Sequence, residues 1–272
     1  MSRLRIDDDF DGALDSHWTA TLAGGGTLDI ADSCLRLALP GASRRRYADA
    51  QIDDHAGKPL SRYPWRPPLR MEVRARASHP IATTTTPEPA VLRGTAGFGF
   101  WNAPITMAGG FPRLPDAVWF FAASPPSNMA LVPGVPGYGW KAQVIHAHRW
   151  QSLAAGIPGL GAMALARLSR DERAAARWVR RVTGASESLL DASLIEWHDY
   201  VLEWRAERAR FWVDGLVVLT VPDPPSGPLG FVAWVDNQYA VATPRGVFRF
   251  GLLDTAAEWL DLASLRILPL GR

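Results

Sequence analysis

A chain of 272 residues, 47% hydrophobic and 21% charged, can bury a sizeable core and lies near the upper size for one all-β domain. A formal charge of +2 sets up no strong field, so bulk charge gives nucleic-acid binding no support. The single cysteine, Cys34, excludes a disulfide framework and a cysteine-based metal site.

The first residues, MSRLRIDDDFDG, lack the apolar run of a secretory signal. The longest apolar stretch, 152–166, is broken by Gly156, Pro158, Gly159 and Gly161 and is too short to span a bilayer, so a cytoplasmic location is expected. Residues 1–40 read as strands, with Phe10, Leu14 and Trp18 before a Gly24-Gly25-Gly26 turn and Leu28, Ile30, Leu35, Leu37 and Leu39 at the two-residue period after it. In 70–77, Met71, Val73 and Ala75 alternate with Arg70, Glu72, Arg74 and Arg76, the pattern of a sheet with one dry face. Residues 78–95 read as a loop rich in Pro and Thr. Further short strands are predicted at 97–102, 117–123, 140–148, 200–204, 208–213, 216–221, 231–235 and 262–268, with Asp214-Gly215 as a hairpin turn.

Residues 150–195 break the pattern and read as a helical insert or lid. Ser169 and Glu172 have capping-box spacing. Ala175, Trp178, Val179 and Val182 share one helical face, with Arg173, Arg177, Arg180 and Arg181 largely elsewhere. Such a basic amphipathic helix suits contact with a membrane surface, but packing against the sheets is the preferred reading. No internal repeat or linker divides 1–272, and many short strands joined by Gly/Pro turns argue for a single all-β, two-sheet antiparallel jelly-roll sandwich.

The stretch Trp197-His198-Asp199-Tyr200-Val201-Leu202-Glu203-Trp204, followed by Phe211-Trp212-Val213-Asp214-Gly215, resembles a hallmark of glycoside hydrolase family 16 and related concanavalin A-like domains. Phe10-Asp11-Gly12 with Trp18, Leu35-Arg36-Leu37, and Trp259-Leu260-Asp261-Leu262 are similar to the first and last strands of such domains. The resemblance implies the sandwich. Trp204 and Trp212 are expected to plug its core and His198 to be structural. Glycosidases of that family share a Glu-x-Asp-x-x-Glu strand, because retaining chemistry needs two carboxyl groups about 5–5.5 Å apart. The comparable strand here, Pro115 to Ala123, has only Asp116, so a glycosidase of that type is not expected. Gln143-Val144-Ile145-His146 resembles the Gln-(Ile/Val)-His element of jelly-roll alginate lyases, but the extra residue puts Gln143 and His146 on opposite strand faces.

In domains of this kind the ligand lies across the concave sheet. Ala142 and Val144 suit the core, which leaves Lys141 and Gln143 outward. Phe231, Ala233 and Val235 likewise leave Trp234, Asp236 and Gln238 outward. With Trp101, Asn102, Trp119, Trp140, Asn237 and Tyr239 they form a candidate aromatic groove for a saccharide or other small molecule. The alternative is a lyase, isomerase or cyclase acting on a small apolar substrate under the lid, with Asp236, Lys141 or His146 as acid or base; desolvation among the indoles would raise the Asp236 pKa, and a Lys141–Asp236 ion pair would push it the other way. No cofactor is expected. A structural calcium would draw on Asp7, Asp8, Asp9, Asp254 or Asp261, although a solvated acidic run is the preferred reading. Oligomeric state is left open.

Overall fold

The computed structural model describes residues 4–85, 90–103, 115–129, 131–132, 134–146, 184–242 and 248–271. The 150–183 part of the expected helical insert lies outside them.

In chain order the strands are β1 (Ile6–Asp8), β2 (Thr19–Ala23), β3 (Thr27–Ala31), β4 (Cys34–Leu39), β5 (Asp49–Asp53), β6 (Leu69–Ala77), β7 (Thr95–Trp101), β8 (Asp116–Ala123) and β9 (Gly139–His146). There follow β10 (Ser186–Leu189), β11 (His198–Trp204), β12 (Arg208–Val213), β13 (Leu216–Pro222), β14 (Gly230–Asp236), β15 (Gln238–Ala242), β16 (Phe248–Leu252) and β17 (Glu258–Pro269). One sheet runs β13-β12-β11-β6-β17-β4-β3, with β1 also paired to β17, and the other runs β10-β9-β8-β7-β14-β5-β2. Every strand pairing is antiparallel. The architecture is therefore the jelly-roll sandwich that the alternation implies.

The two sheets meet over one core. Met71, Val73 and Ala75 of β6 face Phe98 and Phe100 of β7, Phe120 of β8 and Phe231 of β14 across it. Trp204 is fully buried there, and its indole Nε1 donates to the Pro225 carbonyl at 2.8 Å. Trp212 does not join it. Ala209, Phe211 and Val213 take the inward positions of β12, so Trp212 is half-buried on the opposite face, with the Arg210 and Arg70 guanidinium groups 5.7 and 6.0 Å from its ring centre. Asp214 and Gly215 have positive φ, as a tight hairpin turn requires, and His198 bridges Asp214 (2.6 Å) to the Ser193 carbonyl (3.0 Å).

Residues 184–195 are not helical. Ser186–Leu189 form β10, which closes the edge of the second sheet by pairing with β9. The cause is tertiary: Glu187 pairs with Gln143 and Leu189 with Lys141, partners that local propensity does not register.

Candidate functional site

Register places the outward side chains of the β10-to-β2 sheet in cross-strand rows. One row runs Glu187, Gln143, Trp119, Gly99, Val232, Asp53 and Thr19. The next runs Leu189, Lys141, Phe121, Gly97, Trp234, Gln51 and Thr21. A third carries Gly139, Ala123, Thr95, Asp236, Asp49 and Ala23. On the other side of the first row, Trp101 stands opposite Ala117 and Ala117 opposite Ile145. The middle of the face is thus aromatic and its two flanks are polar.

Two glycines make the aromatic middle possible. A Cβ on Gly99 would lie 2.6 Å from the Cα and Cβ of Trp119, and one on Gly97 would lie 2.3 Å from the Phe120 carbonyl and 3.0 Å from the Trp234 ring. With β7 bare at these two positions, the rings of its neighbours close over it. Trp119 stacks on Phe121 (5.3 Å, 13°) and touches Trp234 (5.3 Å) and Trp101 (6.0 Å). Gly99→Ala meets backbone atoms and a φ of +147°, so it is expected to cost about 1–3 kcal/mol in urea unfolding and to perturb the near-UV circular dichroism of the indoles.

Trp119, Phe121 and Trp234 are nearly covered, with Leu131, Met129 and Val132 packed on them. Trp101 keeps a half-buried ring. Its Nε1 donates to His55 Nε2 at 3.2 Å, His55 Nδ1 bonds the Phe231 carbonyl at 3.1 Å, and Tyr63 lies 4.7 Å from the imidazole. That chain of contacts fixes the indole plane.

On the β10 flank, Trp119 Nε1 donates to Gln143 Oε1 (2.8 Å) and Gln143 Nε2 to Glu187 Oε2 (2.7 Å). Lys141 Nζ donates to the same carboxylate oxygen (3.2 Å) and to the Pro136 carbonyl. Burial pulls the Lys141 ammonium down and pushes the Glu187 carboxyl up, and their mutual attraction opposes both shifts. On the β5 flank, Asp236 Oδ1 accepts from Thr95 Oγ1 (2.7 Å) and the Gln238 N–H (3.1 Å), and Trp234 Nε1 donates to Thr95 Oγ1 (2.9 Å). Desolvation raises Asp236 to about 6.

The expected site residues therefore separate. Trp101, Trp119, Lys141, Gln143, Trp234 and Asp236 do share the outer face. Trp140 faces the other way: its neighbours Ala142 and Val144 point inward, and it packs with Phe98, Phe120 and Tyr200 in the core. Asn102 is buried at the end of β7, where its Oδ1 accepts from the Asp116 N–H at 3.2 Å. Asn237 is fully buried, and all its amide bonds go to backbone. Gln238 and Tyr239 belong to the β15–β16 hairpin, where Tyr239 stands opposite Gly251. His146 pairs with Asp116 (2.9 Å) at the end of β9 and alternates away from Gln143.

Asp236, Lys141 and His146 do not converge. Lys141 pairs with Glu187 rather than Asp236, because two strands separate β9 from β14, a span of roughly 14 Å. The outward positions of β8 are Ala117, Trp119, Phe121 and Ala123, none of them acidic. Sequence reasoning passed over Glu187, Asp49, His55 and Phe121. Phe121 was within reach, two residues from Trp119 on one strand.

The acidic residues considered for calcium are engaged otherwise. Asp7 and Asp9 pair with Arg266, Asp8 accepts from the Phe10 N–H and the Trp18 indole, and Asp254 pairs with Arg44. Asp261 is fully buried between Arg36 (2.7 and 2.8 Å) and Arg76 (3.2 Å). Among the described residues no group of three His, Cys, Asp or Glu is placed to hold a metal ion.

The sequence matches no protein-family model and no curated protein. Solved structures match over the whole chain. An immunostimulatory antigen and pseudo-β-1,3-glucanase of Mycobacterium tuberculosis aligns over 99% of this chain and 100% of its own, at 13% identity and a TM-score of 0.54. A prokaryotic β-1,3-1,4-glucanase (lichenase) from a mouse hindgut metagenome aligns over 98% and 99%, at 12% identity and a TM-score of 0.51. An endo-acting O-glycanase of the human gut microbiota aligns over 98% and 99%, at 12% identity and 0.50. The chain has the concanavalin A-like fold of glucanases, and at such identities the likeness shows the fold alone.

Proposed function

We propose that this protein binds a saccharide on the outer face of the β10-to-β2 sheet without cleaving it. The observation that carries the reading is the Trp101 indole, half-buried, backed by Trp119 and pinned by His55 at one end of an aromatic row. A held ring of this kind offers a flat apolar platform to a sugar at little ordering cost. Gln51, Thr19 and Thr21, which keep solvent exposure on the same face, supply amide and hydroxyl groups for the sugar hydroxyls. The acidless outward positions of β8 favour binding over double displacement. The alternative, acid/base turnover of an apolar substrate by Asp236, Lys141 and His146, asks for groups that lie apart.

Affinity electrophoresis against β-1,3-glucan, mixed-linkage β-1,3-1,4-glucan and mucin O-glycans tests the proposal. At least one is expected to retard the protein, with Trp101→Ala weakening retention about tenfold or more, about 1.4 kcal/mol. No reducing ends should form. Retention untouched by Trp101→Ala would remove the platform, and release of reducing ends would replace binding by hydrolysis.

A further inference from the structure

Three buried carboxyl groups meet at the end of the sandwich where the 43–48 segment returns into β5. Asp49 of β5 stands directly opposite Asp236 of β14, and Glu258 opens β17 in the other sheet. They are 2%, 7% and 1% exposed. Carboxylates directly opposite one another repel, more so without water around them. The groups facing them offer little counter-charge. Tyr47 hydrogen-bonds Asp49, Asp53 lies two residues along the same strand, and Thr95 of β7 donates to Asp236. Arg93, just before β7, acts on Glu258, whose Oε2 accepts the Arg93 N–H at 2.9 Å. Thr255 also acts on the Glu258 carboxyl, but among the described residues Asp49 Oδ1 and Glu258 Oε1 lack a hydrogen-bond partner within bonding distance. A buried ionised oxygen in that position is far costlier than one belonging to a neutral acid.

Beside the cluster is a clasp. Asn237 follows Asp236 and ties three segments together: its Oδ1 accepts from the Ala48 N–H (2.9 Å), and its Nδ2 donates to the carbonyls of Ser43 (3.2 Å), Arg46 (3.1 Å) and Leu253 (3.0 Å). The Asn237 N–H also donates to the Ala48 carbonyl at 3.2 Å. Asp49 is next to Ala48, so the cluster and the clasp share one stretch of chain.

We propose that Asp49, Asp236 and Glu258 form a proton-held latch: the 43–48 segment and Leu253 stay clasped to β14 while these carboxyl groups carry protons, and their joint ionisation releases them. The link to the outer face runs through Thr95, which joins Asp236 to the Trp234 indole. Loss of hydration on burial is the largest cause at each group, and it raises Asp49 and Glu258 to about 8 and Asp236 to about 6, from ordinary values of 3.8, 4.5 and 3.8. Folded values above the unfolded ones mean that the folded state holds the extra protons. The closed form is therefore favoured at low pH, loses stability from about pH 4 upward, and has lost the whole contribution above about pH 8.

Hydrogen exchange at pH 5.5, 7 and 9, corrected for intrinsic rates, reads the latch in the whole chain. Amides of 43–48, Asn237 and Leu253 are expected to lose at least tenfold in protection by pH 9, while those of β6 and β11 keep theirs. The Glu258→Gln variant, and Asp49→Asn where it folds, should flatten that profile. Equal pH dependence in every strand, or an unchanged profile in Glu258→Gln, would overturn the proposal. So would a calcium-dependent rise in protection at these amides, because a cation rather than protons would then hold the cluster.

Discussion

Asn237→Ala is expected to destabilise the protein by about 3–5 kcal/mol, read as a fall in the urea midpoint at unchanged slope. The side chain is fully buried and makes four hydrogen bonds, every one to a backbone group of another segment. Truncation leaves the Ala48 N–H and three carbonyls without it; the Ser43 carbonyl keeps the Arg46 N–H at 2.9 Å, and each buried orphan among the rest costs about 1–3 kcal/mol unless water enters. Asn237→Asp separates hydrogen bonding from volume. An aspartate still accepts from Ala48, but it cannot donate to the carbonyls of Ser43, Arg46 and Leu253, and it adds a fourth acid beside Asp49, Asp236 and Glu258. It should therefore be at least as damaging as alanine, and worse at pH 8 than at pH 5. A loss below about 1 kcal/mol for alanine would mean that the clasp is solvated.

This residue also shows what the sequence conceals. Asn237 reads naturally as an outward amide at a strand end, because Asp236-Asn237-Gln238 is a polar run after Phe231-Val232-Ala233-Trp234-Val235. Its true role depends on segments far away in the chain. The same holds for β5. Asp-Ala-Gln-Ile-Asp puts only Ala50 and Ile52 inward, a weak hydrophobic signal in residues depleted from strands, yet it is held on both sides by β14 and β2. With β5 unseen, Asp49 could not be placed opposite Asp236. By contrast, β6, β11, the β12–β13 hairpin and β14 were legible, because the first three carry a two-residue period or a tight turn and β14 is a short unbroken apolar run. Parity placed Lys141 and Gln143 outward from the inward Ala142 and Val144, and the same parity turns Trp140 into the core. An outward Trp140 is inconsistent with that parity.

The Lys141–Glu187 pair yields the other large effect. Lys141→Met is expected to cost about 3–5 kcal/mol, because it strands the Glu187 carboxylate in a site where that side chain has no exposed surface. The Gln143 amide and the Val132 N–H remain to compensate it, and neither carries a charge. The double variant Lys141→Met/Glu187→Leu removes both charges at similar volume and should recover most of that loss. About 1–3 kcal/mol should persist, since Gln143 Nε2 and the Pro136 carbonyl lose their partners. Strict additivity of the two substitutions would mean that the ions are not coupled. The same cycle assigns the role of Lys141. If the pair serves only to hold Gln143, and through it the Trp119 indole, the double variant binds glycan as the wild type does once folded. If Lys141 itself touches the ligand, restored stability will not restore binding.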